Sequence, residues 1–438
     1  MDIDSIIIWV TAVGLFGLIA YPFLRKKKQM EKDTDIADYN ALRYGLKEPV
    51  SLHPMVDPNQ CIGSANCIVA CPEEDVLGLR NGQAVPVSPA RCVGHGLCER
   101  SCPVDAIQLV FGSEKRGVDI PRIKENFETN IDGIHIVGEL GGMGLIRNAF
   151  KQSRQCVEYI AKSHFKKKHD GYDVVIIGCG PAGLAAALHC HNHSMKYIVL
   201  EKEDIGGTVR NYPRKKLVMT KPLKIPGYGT MKQKEILKEQ LMDIWLDIVE
   251  KNDLNISTGE EVTHIFKTDK DTFTINTKNR EYKAGRIILA IGRRGTPRKL
   301  GIEGENLPNV AYSLREPDQY EHNNVMIVGG GDSAIEAALA LSEQPGNEVR
   351  ISYRRDHFSR IKPNNQKRIG KAQQEGKIDI LWNTNVIRNR EYEVTLVSDD
   401  DKEITLENDY LFIFAGGVLP TQFLKDIGIE IDTKFGEA

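Results

Sequence analysis

The sequence lacks the features that define several common protein classes. Its 438 residues carry a formal net charge of -2. Without an excess of positive charge to attract nucleic acid, we expect no nucleic-acid partner. The nine cysteines are too uneven for a disulfide framework: six lie between Cys61 and Cys102, three between Cys156 and Cys190, and none follows. This distribution indicates a reducing compartment and another use for the thiols.

Charged side chains are also missing near the N-terminus. Ile6 to Leu24 is a run of 19 residues without a charge, about 28 Å long as a helix, which just spans a hydrocarbon core. A basic run from Arg25 to Lys28 follows at once, and no small-residue cleavage site is evident. We therefore expect a single-pass membrane anchor with the bulk of the chain on the cytoplasmic side.

The chain is organised around one glycine-rich stretch, Asp173-Val174-Val175-Ile176-Ile177-Gly178-Cys179-Gly180-Pro181-Ala182-Gly183. A buried strand enters a turn in which glycine lets backbone amides approach a pyrophosphate, and a helix then begins with its positive end toward that anion. A second strand ends in Glu201, 23 residues after Gly178, where a carboxylate can accept hydrogen bonds from a ribose. The pattern predicts a dinucleotide site made by Gly178, Gly180, Pro181, Ala182, Gly183, Glu201 and Lys202.

A second stretch, Asn324 to Ala334, repeats the strand, glycine turn and helix start. The strand that follows it ends in Arg354 and Arg355 rather than in an acid. Arginines can hold a 2'-phosphate through paired hydrogen bonds, whereas a carboxylate would repel it, so NADPH is favoured over NADH. The residues predicted to bind this nucleotide are Gly329, Gly331, Asp332, Ser333, Arg354 and Arg355.

The first six cysteines form an internal repeat. Cys61-x5-Cys67-x3-Cys71-Pro72 recurs 31 residues later as Cys92-x5-Cys98-x3-Cys102-Pro103. This segment resembles two-cluster ferredoxins, which carry C-x2-C-x2-C-x3-C-P twice and cross the fourth cysteine of each run to the other cluster. It departs from them at Ser64 and His95, which replace the second cysteine of each run.

The ferredoxin resemblance implies two ligand sets. One cluster would take Cys61, Cys67 and Cys102, and the other Cys92, Cys98 and Cys71. Three thiolates suit a 3Fe-4S cluster, or a 4Fe-4S cluster whose fourth iron takes Ser64, His95 or solvent. His95 is a candidate ligand, and a structural role for it is equally open.

Two further segments resemble the thioredoxin reductase family in an unusual order. Residues 127–139, ending in Gly138 and Glu139, resemble its last flavin motif, in which an acid after glycine holds the ribitol and pyrophosphate. Residues 409–420 resemble the segment that directly precedes that motif, yet the chain stops at Ala438. The economical interpretation is a circular permutation that moved the closing piece ahead of the first glycine turn. The same resemblance implies flavin contacts from Gly207 and Thr208, and a third phosphate contact from Arg360.

The redox dithiols of that family are missing. Residues 311–316, where thioredoxin reductases carry C-x-x-C, contain no cysteine, and Val209 stands where enzymes of the glutathione reductase type place a dithiol. Family members without these cysteines include ferredoxin-NADP reductases, in which flavin exchanges electrons directly with an iron-sulfur partner. The resemblance implies an enzyme that passes electrons between NADPH, FAD and built-in iron-sulfur clusters, to or from an unknown acceptor, with no catalytic acid or base.

Three alternatives stay open. The chain could be a membrane redox sensor or scaffold that holds the cofactors without turnover. It could be a flavin reductase with a degenerate ferredoxin domain. It could also act on an organic substrate, as glutamate synthase small subunits do, which likewise place ferredoxin-like cysteines ahead of a flavin domain.

The predicted fold is α/β, with two Rossmann-like domains for FAD and NAD(P), preceded by an α+β two-cluster ferredoxin-like domain and one N-terminal transmembrane helix. The predicted segments are an anchor (1–28), a linker (29–54), the ferredoxin-like domain (55–112), the permuted piece of the FAD domain (113–168), the FAD-binding domain (169–300), the NAD(P)-binding domain (301–405) and a return to the FAD domain (406–438). A homodimer is an open expectation, because thioredoxin reductase relatives are commonly dimers.

Overall fold

The computed structural model describes residues 3–49, 52–142, 144–163, 171–219, 222–233, 235–269, 271–293, 295–358 and 361–436. The chain divides into two compact units, of which the first combines Met1–Val118 with Lys434–Ala438 and the second is Asp119–Thr433. The division after Val118 falls close to the predicted boundary after residue 112. The predicted anchor and linker both belong to the first unit.

The first unit is built from short elements around the cysteines. They are α1 (Ile3–Arg43), β1 (Leu52–Val56), α2 (Asn66–Ala70), β2 (Leu77–Arg80), β3 (Gln83–Pro86), α3 (Leu97–Arg100) and β4 (Ile107–Phe111). β1 pairs antiparallel with β4, and β2 with β3. Cys67 in α2 and Cys98 in α3 are buried in one small apolar core with Val76, Leu77 and Ile107. The internal repeat thus becomes two similar halves that share a core.

α1 continues well past the predicted anchor. The prediction of a linker is wrong for residues 29–43, which are helical. The amide of Leu79 donates a hydrogen bond to Thr34 Oγ1 (2.9 Å), and the amide of Gly82 donates to Glu31 Oε1 (2.9 Å). These tertiary contacts stabilise a polar helix whose own pattern gives little sign of one.

A membrane-spanning helix is not found among the residues that the structure describes, since none of their helices is both long and apolar enough. Met1 and Asp2 lie outside the described residues, as do the side chains of several residues in the predicted span.

The first part of the second unit is an α/β domain that corresponds to the predicted FAD domain. Its elements are β5 (Val118–Pro121), β6 (Ile134–Ile136), α4 (Ile146–Lys162), β7 (Tyr172–Ile177), α5 (Pro181–Asn192), β8 (Tyr197–Glu201), β9 (Leu217–Met219), β10 (Leu223–Ile225), β11 (Gly229–Met231), β12 (Glu235–Leu237), α6 (Lys238–Lys251), β13 (Ile256–Thr258), β14 (Val262–Asp269), β15 (Thr272–Thr277), β16 (Glu281–Leu289) and β17 (Thr296–Pro297). Seven strands form one sheet in the order β13-β8-β7-β16-β15-β14, with β6 paired to β16. β7 and β8 are almost entirely buried, as strands covered on both faces must be.

The segment ahead of the first glycine turn belongs to the core of this same domain. β6 pairs in parallel with Ile287–Leu289 of β16. α4 packs against α5, where Ser153 Oγ donates a hydrogen bond to the carbonyl oxygen of Ala182 (2.8 Å). The domain is therefore completed within one chain by the piece that the permutation hypothesis assigns to it.

The second part of this unit corresponds to the predicted NAD(P) domain. Its elements are β18 (Val310–Ala311), β19 (Asn324–Val328), α7 (Asp332–Ser342), β20 (Glu348–Tyr353), α8 (Pro363–Gln374), β21 (Ile378–Trp382), β22 (Thr384–Asn389), β23 (Glu393–Ser398), β24 (Glu403–Glu407) and β25 (Tyr410–Ile413). A parallel sheet runs β18-β25-β19-β20-β21, and β22, β23 and β24 form an antiparallel sheet.

The chain then returns to the predicted FAD domain through β26 (Gly417–Val418), α9 (Thr421–Ile427) and β27 (Ile431–Lys434). β26 pairs with β17, and β27 with β5. The predicted start of this return at residue 406 is wrong, because β25 lies between β18 and β19 in the nucleotide sheet. Leu411, Phe412 and Ile413 are buried there, so the apolar run needs strands on both sides and the return begins only after it.

Candidate cofactor sites

The first glycine turn joins the end of β7 to the start of α5. Gly178 has φ +98°, and a Cβ on it would lie 2.7 Å from the carbonyl oxygen of Ala290. A Cβ on Gly183 would lie 1.8 Å from the carbonyl oxygen of Gly178. The fold itself therefore requires glycine at both positions.

Gly180 has no such requirement. Its φ is -77°, which any residue adopts, and beyond its two chain neighbours no described residue lies within 4 Å of a Cβ built on it. It directly precedes the first turn of α5, formed by Pro181, Ala182 and Gly183. Open space at a helix N-terminus is what a bound pyrophosphate needs, so the turn fits the predicted FAD.

Glu201 lies against this turn, as the spacing of the motif predicts. Its buried carboxylate accepts hydrogen bonds from the amide of Cys179 (2.6 Å) and from the amide of Glu203 (3.0 Å). Each carboxylate oxygen keeps a further lone pair for a ribose hydroxyl. Lys202 instead forms an exposed ion pair with Glu203 (3.7 Å). The cofactor contacts of Glu201 and Lys202 stay predictions.

Gly138, which follows β6, packs against the first turn of α5. Its φ is +80°, and a Cβ on it would lie 2.8 Å from Ala182 Cβ. Its amide donates a hydrogen bond to Gln152 Oε1 (2.8 Å), a partner on α4 that no motif signals. The structure thus brings Gly138 and the exposed Glu139 to the first glycine turn, although they lie about forty residues before it in the sequence.

Arg293 is a second residue near this site that the sequence analysis missed. It is half-buried, and its guanidinium donates a hydrogen bond to the carbonyl oxygen of Asp119 (3.3 Å). Burial lowers the pKa of Arg293, while the nearby carboxylates of Glu139 and Asp119 act in the opposite direction. Arg293 therefore balances the charge of Glu139.

Gly207 also reaches the first turn, because a Cβ on it would lie 3.1 Å from Gly180 Cα. Thr208 follows in a short 3-10 helix and is exposed. Both are placed where a ligand of the turn could contact them, and their roles stay predictions.

The second glycine turn, between β19 and α7, again combines one glycine that the fold requires with one that lies beside open space. Gly329 has φ +137°, and a Cβ on it would lie 2.6 Å from the carbonyl oxygen of Phe414. Gly331 has φ -100°, and a Cβ on it would meet no atom of the described residues within 4 Å. The open position again faces the start of a helix, which suits the pyrophosphate of NADPH.

The other residues predicted to bind this nucleotide differ in their exposure and in their hydrogen-bond partners. Arg354 and Arg355 are exposed directly after β20, which neighbours β19 in the sheet. Asp332 Oδ1 accepts hydrogen bonds from the Lys362 amide (2.8 Å) and from Asn365 Nδ2 (2.8 Å), so it fastens the start of α8. Ser333 is half-buried in the first turn of α7, and Arg360 lies outside the described residues.

The six cysteines of the first unit lie in or against one small apolar core, and their division into two ligand sets stays a prediction. Cys61, Cys67 and Cys102 line one cavity. Cys92 interacts electrostatically with Cys98 and Cys71. Backbone amides donate to three of the sulfurs: Ala84 to Cys61 (3.4 Å), Ala106 to Cys102 (3.2 Å) and Gly94 to Cys92 (3.4 Å). Such hydrogen bonds tune the reduction potential of a bound cluster.

Burial raises the pKa of Cys67, Cys71, Cys92 and Cys98. It raises the pKa of Cys67 to about 11 and that of Cys92 to about 12, with neighbouring cysteines adding to the rise. Bound iron would reverse this effect, because a coordinating cation deprotonates a thiol outright. Within the described ranges, no three His, Cys, Asp or Glu side chains are arranged around a single metal ion. Thiols spread around a cavity suit a cluster, in which each iron takes its own thiolate.

The two substituted positions lie in equivalent loops. Ser64 lines the cavity of Cys61, Cys67 and Cys102. His95 is half-buried in the second loop, where Arg100 donates a hydrogen bond to its carbonyl oxygen (3.0 Å). Ligation by His95 stays a prediction.

Comparison with known families matches both units. The pyridine nucleotide-disulphide oxidoreductase family matches residues 175–436, more than half of the chain. A 4Fe-4S dicluster domain matches residues 54–109.

Curated relatives and a solved structure agree with that match. Bacilliredoxin reductase Bdr from Bacillus subtilis is 30% identical over 267 residues, covering 60% of this chain and 82% of the relative. A ferredoxin-NADP reductase from Streptococcus sanguinis is 29% identical over 268 residues, covering 60% and 79%. The structure of bacillithiol disulfide reductase Bdr from Staphylococcus aureus superposes with a TM-score of 0.52 at 30% identity, covering 59% of this chain and 81% of that one. The chain therefore belongs to the pyridine nucleotide-disulphide oxidoreductase family, carries a 4Fe-4S dicluster domain ahead of it, and is an NAD(P)H-dependent oxidoreductase that uses FAD, NADPH and iron-sulfur clusters.

Proposed function

We propose that this chain transfers electrons between NADPH and an external acceptor through FAD and its own two iron-sulfur clusters. It would thus act as a ferredoxin-NADP reductase with its ferredoxin fused in front. A relative named ferredoxin-NADP reductase is similar over most of its own length, which supports the proposal.

The observation that carries the proposal is the state of the thiols in the second unit. Cys156, Cys179 and Cys190 are all 0% exposed. Burial raises the pKa of each, that of Cys179 to about 12. Thiolates are the species that attack disulfides, so these cysteines are unsuited to thiol-disulfide exchange. The remaining six cysteines, grouped in the first unit, are then the route for electrons beyond the flavin.

The chain's own residues supply binding and orientation for this reaction. Gly180 and Gly331 leave room for the two pyrophosphates at helix N-termini, whose positive ends favour phosphate. Arg354 and Arg355 would hold the 2'-phosphate of NADPH. When bound, FAD supplies the exchange between two-electron hydride transfer and one-electron transfer. Hydride transfer needs alignment of the two rings and no protein acid or base.

An anaerobic titration of the full chain with NADPH tests the relay, followed by visible absorbance and electron paramagnetic resonance. Bleaching of the flavin together with new or altered cluster signals is expected. Cys98→Ala should lose one set of cluster signals while its flavin still bleaches, and Cys156→Ala, which removes a thiol of the second unit, should behave as wild type. Flavin bleaching with unchanged clusters in the wild type would refute the relay.

The proposal also includes attachment to a membrane and an acceptor at or near it. Its support is the uncharged run from Ile6 to Leu24 with the basic run Arg25 to Lys28 behind it. Alkaline carbonate extraction of cell membranes tests it: the full chain should stay in the pellet, and a chain starting at Gln29 should be soluble. A soluble full chain would contradict the attachment. A homodimer stays an expectation for analytical ultracentrifugation to test.

A further inference from the structure

The two loops that carry the substituted positions share one backbone shape. In the first loop, Gly63 has φ +66° and Ala65 has φ +61°, on either side of Ser64. In the second, Gly94 has φ +76° and Gly96 has φ +67°, on either side of His95. Ser64 and His95 therefore hold equivalent places, each between two left-handed residues and two positions before a short helix that carries the next cysteine.

The first loop is held in this shape against a cost. The left-handed region is unfavourable for a residue with a Cβ, yet Ala65 is kept there. A Cβ on Gly63 would lie 1.6 Å from the carbonyl oxygen of Gly82, in the turn between β2 and β3. Packing on that turn thus fixes the loop, and with it the place of Ser64.

Ser64 lines the same cavity as Cys61, Cys67 and Cys102. The amide of Asn66 lies 3.5 Å from Ser64 Oγ, at the limit of a hydrogen bond, so the oxygen keeps lone pairs available for a cation. His95 does not line this cavity. Three thiols and one hydroxyl oxygen are therefore the donors that this cavity offers to a four-iron cluster.

We propose that Ser64 Oγ is the fourth ligand of the cluster bound by Cys61, Cys67 and Cys102. The hydroxyl proton leaves to solvent as the oxygen binds iron, with no change of oxidation state. An alkoxide is a harder ligand than a thiolate and favours the more oxidised iron. The two clusters of the chain are then inequivalent. The serine-bound cluster has a lower reduction potential than the same cluster would have with a fourth thiolate. This inference rests on the proposed function only in that both clusters are present.

Iron analysis, Mössbauer spectroscopy and paramagnetic resonance of the reconstituted full chain test this ligand. Ser64→Ala should lose one iron per chain on mild oxidation and show the signal of a 3Fe-4S cluster that the wild type lacks. Ser64→Cys should keep all its iron, lose the distinct Mössbauer signal of the oxygen-bound iron, and shift that cluster to a higher reduction potential. Ser88→Ala is the matched control, because Ser88 Oγ is buried without a hydrogen-bond partner in the described part of the chain.

The outcomes separate this inference from the relay. Equal iron content and equal spectra in wild type, Ser64→Ala and Ser64→Cys would overturn serine ligation, as would a 3Fe-4S signal already present in the wild type. If NADPH still reduces the clusters in those samples, the proposed function stands and only the ligand assignment fails. If Ser64→Ala does not fold, the comparison of Ser64→Cys with the wild type decides. Iron-free wild-type protein would overturn both.

Discussion

Gly331 is a glycine that the protein's own fold does not require. Its φ of -100° suits any residue, and a Cβ there would lie more than 4 Å from every described atom beyond Gly331 and its two chain neighbours. The methyl group of alanine would instead project toward the space in which the NADPH pyrophosphate is expected. We therefore predict that Gly331→Ala leaves the unliganded protein intact and weakens nucleotide binding.

The substitution is expected to raise the stability of the unliganded fold and to weaken nucleotide binding. Alanine in a compatible conformation stabilises a fold by about 0.4–1 kcal/mol, through the unfolded chain. An extra methyl group forced into a packed contact costs about 1–3 kcal/mol, which corresponds to about 5- to 150-fold weaker binding. Isothermal titration calorimetry of the FAD-loaded protein with NADP+ measures the second effect, and thermal unfolding without nucleotide measures the first.

Gly370→Ala provides the matched control. Gly370 lies within α8, and a Cβ on it likewise meets no described atom within 4 Å. Alanine there should stabilise the helix by about 0.5–1 kcal/mol and leave the Kd for NADP+ unchanged. An unchanged Kd in Gly331→Ala, or an equal loss of affinity in both variants, would refute the reasoning that the open position belongs to the ligand.

Three other variants probe the fold and the nucleotide preference. Gly183→Ala should lower the free energy of unfolding in urea by about 1–3 kcal/mol, because its Cβ would lie 1.8 Å from the Gly178 carbonyl oxygen; an unchanged midpoint would contradict this. Burial lowers the pKa of His135 from 6.5 to about 4, so on acidification the unfolded chain protonates this imidazole before the folded chain does. The free energy of unfolding should therefore fall by at most about 3 kcal/mol as the pH drops from about 6.5 to about 4. His135→Phe should flatten that pH dependence. Arg354→Ala with Arg355→Ala should raise the KM for NADPH about tenfold or more, at about 1.5–3 kcal/mol per charge-assisted hydrogen bond, and hardly change that for NADH; equal losses would sink the phosphate assignment.

The sequence was most informative where structure is decided locally. β7, α5 and β8 follow the expected order of buried strand, glycine turn, helix and second strand. Each is specified by side chains close in sequence: an apolar run, glycines at fixed offsets, and an acid at the end of the second strand. Glu201 meets the turn because parallel neighbouring strands end at the same edge of the sheet.

Features set by distant contacts could not be predicted in this way. Residues 29–43 are helical because Glu31 and Thr34 accept hydrogen bonds from a hairpin some fifty residues away. β25 follows the other strands of its own domain in sequence but inserts between β18 and β19, which its apolar run alone does not reveal. Gln152 and Arg293 lack a motif, and only the tertiary fold brings them to Gly138 and Glu139.

Under the permutation hypothesis, the contacts around β5 and β27 explain how the changed order can be tolerated. In the family order, residues near the C-terminus would continue directly into the closing flavin motif. Here they remain joined to it without a covalent link: Asn130 Nδ2 donates to the carbonyl oxygen of Gly428 (2.9 Å), and Asn130 Oδ1 accepts from the Glu430 amide (3.0 Å). Arg122 adds a hydrogen bond to Asp432 (2.7 Å). Under that hypothesis these contacts hold the former junction together, so moving the chain ends would cost little packing.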